Sequence, residues 1–100
     1  MTFFSSTLTA STTLQQLMAN KRAIKKVTQI SMIVRSMGTA TYIGVGGHDT
    51  QDRLLKTVGD AISIDAPLGA RFIDVSSLFV ISDTSDAVLE IMGDTYTGVF

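Results

Sequence analysis

The chain has no cysteine, so neither a disulfide framework nor a thiolate metal site holds its fold together. Stability has to come from packing or from assembly. It has a single histidine, His48, set in a glycine-rich turn beside Asp49, where a solvated ring is expected. A hydrolytic triad needs a nucleophile, a base and an orienting acid, and this chain offers it no convincing base. Long apolar runs are also missing. The longest apolar-leaning stretch, residues 73 to 81, is interrupted by Asp74, Ser76 and Ser77 and falls far short of the ~20 residues that span a bilayer. Residues 1 to 10 carry neither a positive n-region nor a continuous apolar h-region, so a soluble protein without a secretory leader is expected.

Acidic residues are absent from positions 1 to 48, which contain only Lys21, Arg22, Lys25, Lys26 and Arg35 as charges. From Asp49 onward lie all nine acids, against Arg53, Lys56 and Arg71, and the formal net charge is -1. Blocks of opposite sign in sequence interleave in space when both halves give strands to one sandwich, and that reading is preferred to head-to-tail attraction between copies. The hydrophobic fraction of 45% and charged fraction of 17% are those of an ordinary globular domain. A chain of this length buries somewhat over ~60% of its unfolded surface, so one core is expected.

Residues 1 to 13 are Phe3-Phe4 followed mostly by Ser and Thr, and read as an extended arm whose adjacent rings could dock on a partner; the bland alternative is a first strand that pairs locally. Residues 14 to 100 read as the domain proper. In residues 13 to 23, Leu14, Leu17 and Met18 suit one or two helical turns, while Leu14, Gln16 and Met18 suit a strand, and the run is too short for periodicity to decide. Beyond it the pattern is β. Thr28, Ile30, Met32 and Val34 alternate with Gln29, Ser31, Ile33 and Arg35 up to a Ser36-Met37-Gly38 turn. Residues 39 to 45 read as a second strand closed by Gly46-Gly47, whose glycines can take positive φ, with Gly44 marking a bulge or close packing. Shorter strands follow over 52 to 56, 61 to 65, 71 to 75, 78 to 82 and 87 to 92. They are divided by turns at Val58-Gly59-Asp60, Pro67-Leu68-Gly69, residues 82 to 86 and Gly93-Asp94. Residues 96 to 100 read as a last strand or an apolar tail. Roughly seven or eight short strands with at most one short helix predict an all-β fold, a single antiparallel β-sandwich.

Other chemistry is weakly represented. Gly44, Gly46 and Gly47 lack the spacing and the following Lys of a phosphate-binding loop. Asp83 and Asp86 offer two carboxylates to Ca²⁺ but no bidentate Glu, and a hydrogen-bonded Asx turn is the preferred role. Lys21, Arg22, Lys25 and Lys26 form a small basic cluster without interleaved aromatics, better suited to solvent or an acidic protein surface than to nucleic acid. The chain is therefore not expected to be an enzyme, and no cofactor, metal, nucleic acid or membrane is expected as its partner.

In order along the chain, Arg22-Ala23 leading into residues 27 to 34, Gly38-Thr39-Ala40-Thr41-Tyr42-Ile43-Gly44, Ile62-Ser63-Ile64-Asp65, Leu78-Phe79-Val80-Ile81-Ser82 and Val88-Leu89-Glu90-Ile91-Met92-Gly93 resemble small β-sandwich virion proteins of tailed bacteriophages. The matching span, residues 22 to 93, covers about seven tenths of the chain. The chain departs from that pattern at Ser36-Met37-Gly38, where an Asn-Gly turn is commoner. The resemblance implies a capsid decoration or cement protein on the virion surface, soluble in the host cytoplasm before assembly. It would be a homo-oligomer, a trimer in the simplest form, seated over the junctions of the major capsid protein. A neck, tail or fibre-base protein is the near alternative. A small carbohydrate-binding module using Tyr42, Tyr96 and Asp94 is the distant one. The contact residues expected for the first reading are Phe3, Phe4, Lys21, Arg22, Lys25, Lys26, Tyr96, Val99 and Phe100, with aromatic anchors giving burial and charges setting orientation.

Overall fold

The structure, a computed structural model, describes residues 3–20 and 23–96. Among the described residues, nine strands and one turn of 3₁₀ helix form two antiparallel sheets. The first sheet has the order β1-β9-β3-β6, with β7 also paired to β3. Its strands are β1 (Phe3–Thr9), β3 (Lys26–Ser36), β6 (Ala61–Asp65), β7 (Ile73–Asp74) and β9 (Val88–Thr95). The second has the order β2-β8-β4-β5, from β2 (Gln15–Gln16), β4 (Ile43–Gly46), β5 (Arg53–Leu55) and β8 (Phe79–Ser82). This is the all-β antiparallel sandwich that the turn spacing predicts.

The core between the sheets follows from strand alternation. Val27, Ile30, Met32 and Val34 on β3, Leu89 and Ile91 on β9, and Ile43, Val45 and Val80 from the second sheet have at most 1% of their surface exposed. Fully burying each such side chain contributes about 1.5–3 kcal/mol. On β3 the alternation slips between Val27 and Ile30, because Thr28 is an extra residue opposite β9: Val27 pairs with Thr95 and Gln29 with Asp94. The bulge returns Val27 to the inner face and leaves the Thr28 hydroxyl to reach the Asp94 carbonyl at 3.5 Å.

Residues 3 to 9 are not a free arm. They form β1, and Phe4, Leu8 and the following Ala10 join the core while Phe3, Ser5, Thr7 and Thr9 remain exposed. The pairing is long-range rather than local, since β1 lies against β9 from Phe3 opposite Asp94 to Thr9 opposite Val88. Residues 13 to 20 are not helical either. Leu17 and Met18 are buried in the turn after β2, and the short helical element lies instead at Val75–Ser77, capped by the Asp74 side chain.

Two further expectations are corrected by backbone contacts. Gly93-Asp94 is not a turn but the body of β9, and it has a glycine there because a Cβ would sit 2.2 Å from the Gln29 carbonyl oxygen. The strand expected from residue 39 begins only at Ile43, because Thr39 and Thr41 turn their amides to aspartates. Gly46 and Gly47 do not use positive φ, whereas Gly38 does, at +55°. Gly44 is tightly packed as expected, its missing Cβ falling 2.9 Å from the Gln51 carbonyl oxygen.

The charge blocks interleave. Strand β9 from the acidic half lies between β1 and β3 from the basic half, Arg35 meets Glu90 at 3.2 Å, and Lys26 stands opposite Asp74.

Candidate interaction surfaces

Three regions gather side chains that could meet another molecule. The first is the outer face of the larger sheet. Its pairing registers lay the outward side chains in rows: Phe3, Asp94, Gln29 and Asp65; then Ser5, Met92, Ser31 and Ser63; then Thr7, Glu90, Ile33 and Ala61. The middle row is uncharged. Gln29 Nε2 donates to the Ser31 and Ser63 hydroxyls, and those hydroxyls lie 2.6 Å apart, so the short polar groups are already ordered. Two acids and Phe3 border this row on one side, and the Arg35–Glu90 ion pair borders it on the other. Depletion of charge at its centre is one mark of a protein interface, and here Met92 and short hydroxyls stand where aromatic side chains more often do.

The second region is the end of the sandwich where β3 begins. The Lys26 ammonium stands 4.6 Å from the centre of the Phe72 ring, which packs on Tyr96 at 5.2 Å between centroids. The antiparallel pairing of β3 with both β7 and β9 brings these residues together, and the Tyr96 amide donates to the Lys26 carbonyl at 2.9 Å. An open cleft of about 490 Å³ adjoins it, lined by Gln16, Met18, Ile24, Lys25, Lys26 and the Asp74–Ser76 turn. The Ser76 hydroxyl, then its amide, and more weakly Lys26 and Lys25, hold the Asp74 carboxyl below its usual 3.8.

The third region is the opposite end. Asp83 accepts from the Thr41 hydroxyl and from the Thr41 amide at 3.0 Å, while Asp86 accepts from the Thr84 hydroxyl at 2.5 Å and from the Thr39 hydroxyl and amide at 2.9 Å each. These bonds hold both carboxyls below the ordinary aspartate value, with the Thr41 hydroxyl the largest cause for Asp83 and the Thr84 hydroxyl for Asp86. The pair staples two loops together, a larger role than the local Asx turn expected from sequence. Among the described residues no third ligating side chain joins them. His48 is exposed, as expected of a turn residue, and also sets its ring edge-on to Phe79 at 5.1 Å between centroids.

The expected contact residues separate on this structure. Phe3 is 66% exposed and Phe4 only 7%, so Phe4 is a core residue and not a docking anchor. Lys25 and Lys26 are exposed and border the cleft, and Tyr96 is half-buried in the Lys26–Phe72 cluster. Lys21, Arg22, Val99 and Phe100 lie outside the described residues. Tyr42 and Tyr96 do not form a shared platform, because Tyr96 sits beside Lys26 at the start of β3 and Tyr42 beside Asp83 at the far end. Phe72 escaped the sequence reading, since nothing near it in sequence announces its two partners.

No protein-family model matches the chain, and no curated protein matches it. Among solved structures, a chain from a study of Bacillus endospore appendages described as disulfide-linked pili aligns with 95% of this chain and 87% of that one. The identity is 12% and the TM-score 0.47.

Proposed function

We propose that the chain is a non-catalytic structural protein that works by covering other protein surfaces. In its specific form we propose a homo-oligomeric capsid decoration protein that seals contacts between major capsid subunits. The observation that carries the general reading is the outer face of the larger sheet, with its uncharged row of Ser5, Met92, Ser31 and Ser63 inside a polar rim. Charged groups are costly to desolvate in the middle of an interface, whereas short hydroxyls already bonded to one another can be covered with little loss. The capsid address rests on the resemblance of the strand motifs, in their order, to small phage virion proteins. Each copy would cover a junction whose subunits touch weakly, and repetition over the shell would multiply a small binding free energy.

The test is binding of the purified chain to capsids that lack it, read by quantitative mass spectrometry of the washed particles and by their heat resistance. Copies in proportion to the major capsid protein, together with a higher disruption temperature, are the expected result. A dozen or fewer copies per particle would move the protein to the neck or tail. Ser63→Arg places a large charge in the uncharged row on an exposed position and should abolish binding while leaving the fold intact. Undiminished binding by that variant would overturn the face as the contact.

A further inference from the structure

We infer that β1 is the edge through which two copies of this chain pair, antiparallel about a two-fold axis, to join their larger sheets into one. This inference deepens the self-associating part of the reading above by naming the surface, and it replaces the three-fold assembly implied by the sequence resemblance with a two-fold one.

The ladder fixes which backbone groups of β1 look outward. The Ala10 amide donates to the Ala87 carbonyl at 2.8 Å, in register with the pairing of β1 on β9, so the even residues Phe4, Ser6 and Leu8 bond inward to β9. Phe3, Ser5, Thr7 and Thr9 therefore present their N–H and C=O to the open side. Two of those carbonyls are occupied: Asn20 Nδ2 donates to the Thr7 oxygen at 2.7 Å and Gln15 Nε2 to the Thr9 oxygen at 2.9 Å. The segment after β1 thus folds back and blunts the second half of the edge. Among the described residues, no group meets the outward backbone of Phe3 and Ser5. The open part is confined to the first half of the strand.

Charge then selects the occupant. Exposed edges are ordinarily protected by lysine, proline or another charged residue, and β1, with the sequence Phe-Phe-Ser-Ser-Thr-Leu-Thr, has none of these. The edge strand β6 carries Asp65 and the edge strand β5 carries Arg53, the kind of edge charge that β1 lacks. Only two residues of β2 are strand at all. Among the described edges, β1 is the long one without a charge. The register that uses only open groups sets Phe3 opposite the second copy's Ser5 and Ser5 opposite its Phe3, which satisfies all four residues reciprocally. The two Phe3 rings, each 66% exposed in the single chain, then lie diagonal to one another on the outer face and cover apolar surface. A pairing of this kind is isologous and closes at two copies.

The experiment is sedimentation equilibrium of the full chain and of two variants, with far-ultraviolet circular dichroism as the check on folding. The wild type should reach twice its 10.7 kDa monomer mass as concentration rises. Ser5→Pro removes an outward N–H and no ladder bond, and Ser5→Lys restores the missing edge charge, so each should stay folded and raise the dimer dissociation constant at least tenfold. Hydrogen exchange supplies the positive signature, a Ser5 amide whose exchange slows with concentration in the wild type. A wild type that stays monomeric, or a folded Ser5→Pro and Ser5→Lys that dimerise as well as the wild type, would overturn the inference. A wild type that stays monomeric yet coats capsids would show the outer-face reading standing without this inference, and a wild type that dimerises while Ser63→Arg binds capsids undiminished would show the converse.

Discussion

Replacing Gly93 by alanine should unfold this protein at a much lower temperature, although alanine is the smallest side chain that could be introduced. Gly93 lies on β9 opposite Phe4 of β1 on one side and Ile30 of β3 on the other, in the middle of the larger sheet. An added Cβ would stand 2.2 Å from the Gln29 carbonyl oxygen and 3.0 Å from the Ile30 Cα, and both are backbone atoms that no rotamer change can move away. The sheet has to spread at the Thr28 bulge to admit it. Overpacking of a core typically costs about 1–3 kcal/mol, and a backbone-on-backbone clash belongs at the top of that range, at about 3 kcal/mol. Restricting the unfolded chain by replacing glycine with alanine returns about 0.4–1 kcal/mol. The net loss is about 2–3 kcal/mol, which for a domain of this size lowers the melting temperature by roughly 8–24 °C. Differential scanning calorimetry measures it directly. The matched control is Gly47→Ala, at a glycine with no atom within 4 Å of the added Cβ and no positive φ, where the entropic gain alone remains and the melting temperature should hold or rise slightly. A Gly93→Ala variant that melts within a degree or two of the wild type would refute the close approach of β9 to β3 at the bulge.

Adjacent phenylalanines should behave oppositely: Phe4→Ala should cost about 3–5 kcal/mol of folding stability in urea unfolding, whereas Phe3→Ala should leave stability nearly unchanged. Equal effects would mean that the facing of β1 is wrong. Acid should destabilise the loop staple. Asp74, Asp83 and Asp86 all have folded values below 3.8, so their contribution is complete above that value and is lost as pH falls through the lower folded values. Asp83→Asn with Asp86→Asn should therefore lower the melting temperature near neutrality and flatten its fall between about pH 5 and pH 2, as read by thermal melts across that range. Lys26→Glu should remove the ammonium from the Phe72 ring, a loss of about 0.5–1 kcal/mol, and set an acid opposite Asp74. Lys25→Glu should be milder in the same melts, and equal losses would rule out a specific role for the ring contact.

What was legible in the sequence, and what was not, divides along a physical line. Where side-chain burial decides the structure, the pattern was enough: Ala61–Asp65 alternates along its whole length, and the observed strand has those same bounds. Alternation also gave the buried face of β3 through Ile30, Met32 and Val34, but it missed Val27, because the Thr28 bulge arises from how β9 meets β3 and leaves no local trace. Backbone contacts between distant segments were hidden in the same way. Gly93-Asp94 looks like a turn to any local rule, and only the closeness of Gln29 makes glycine a strand residue there. Conversely, residues 39 to 42 have strand-like side chains, yet the Asp83 and Asp86 carboxylates take the Thr39 and Thr41 amides and loop the segment out. The N-terminus shows both effects at once. Ser and Thr fill most of the outer face and part of the inner one, so polarity obscures the period of two formed by Phe4, Ser6, Leu8 and Ala10 and gives the strand the look of an arm. That same polarity leaves the edge uncharged. A strand buried against β9 on one side, free of charge on the other, and capped by Gln15 and Asn20 along only half its length has lost its freedom as an arm and kept an open edge. Phe3 is exposed on this ordered strand, so in the two-fold pairing inferred above its ring would be presented without the entropy cost that a flexible tail would incur.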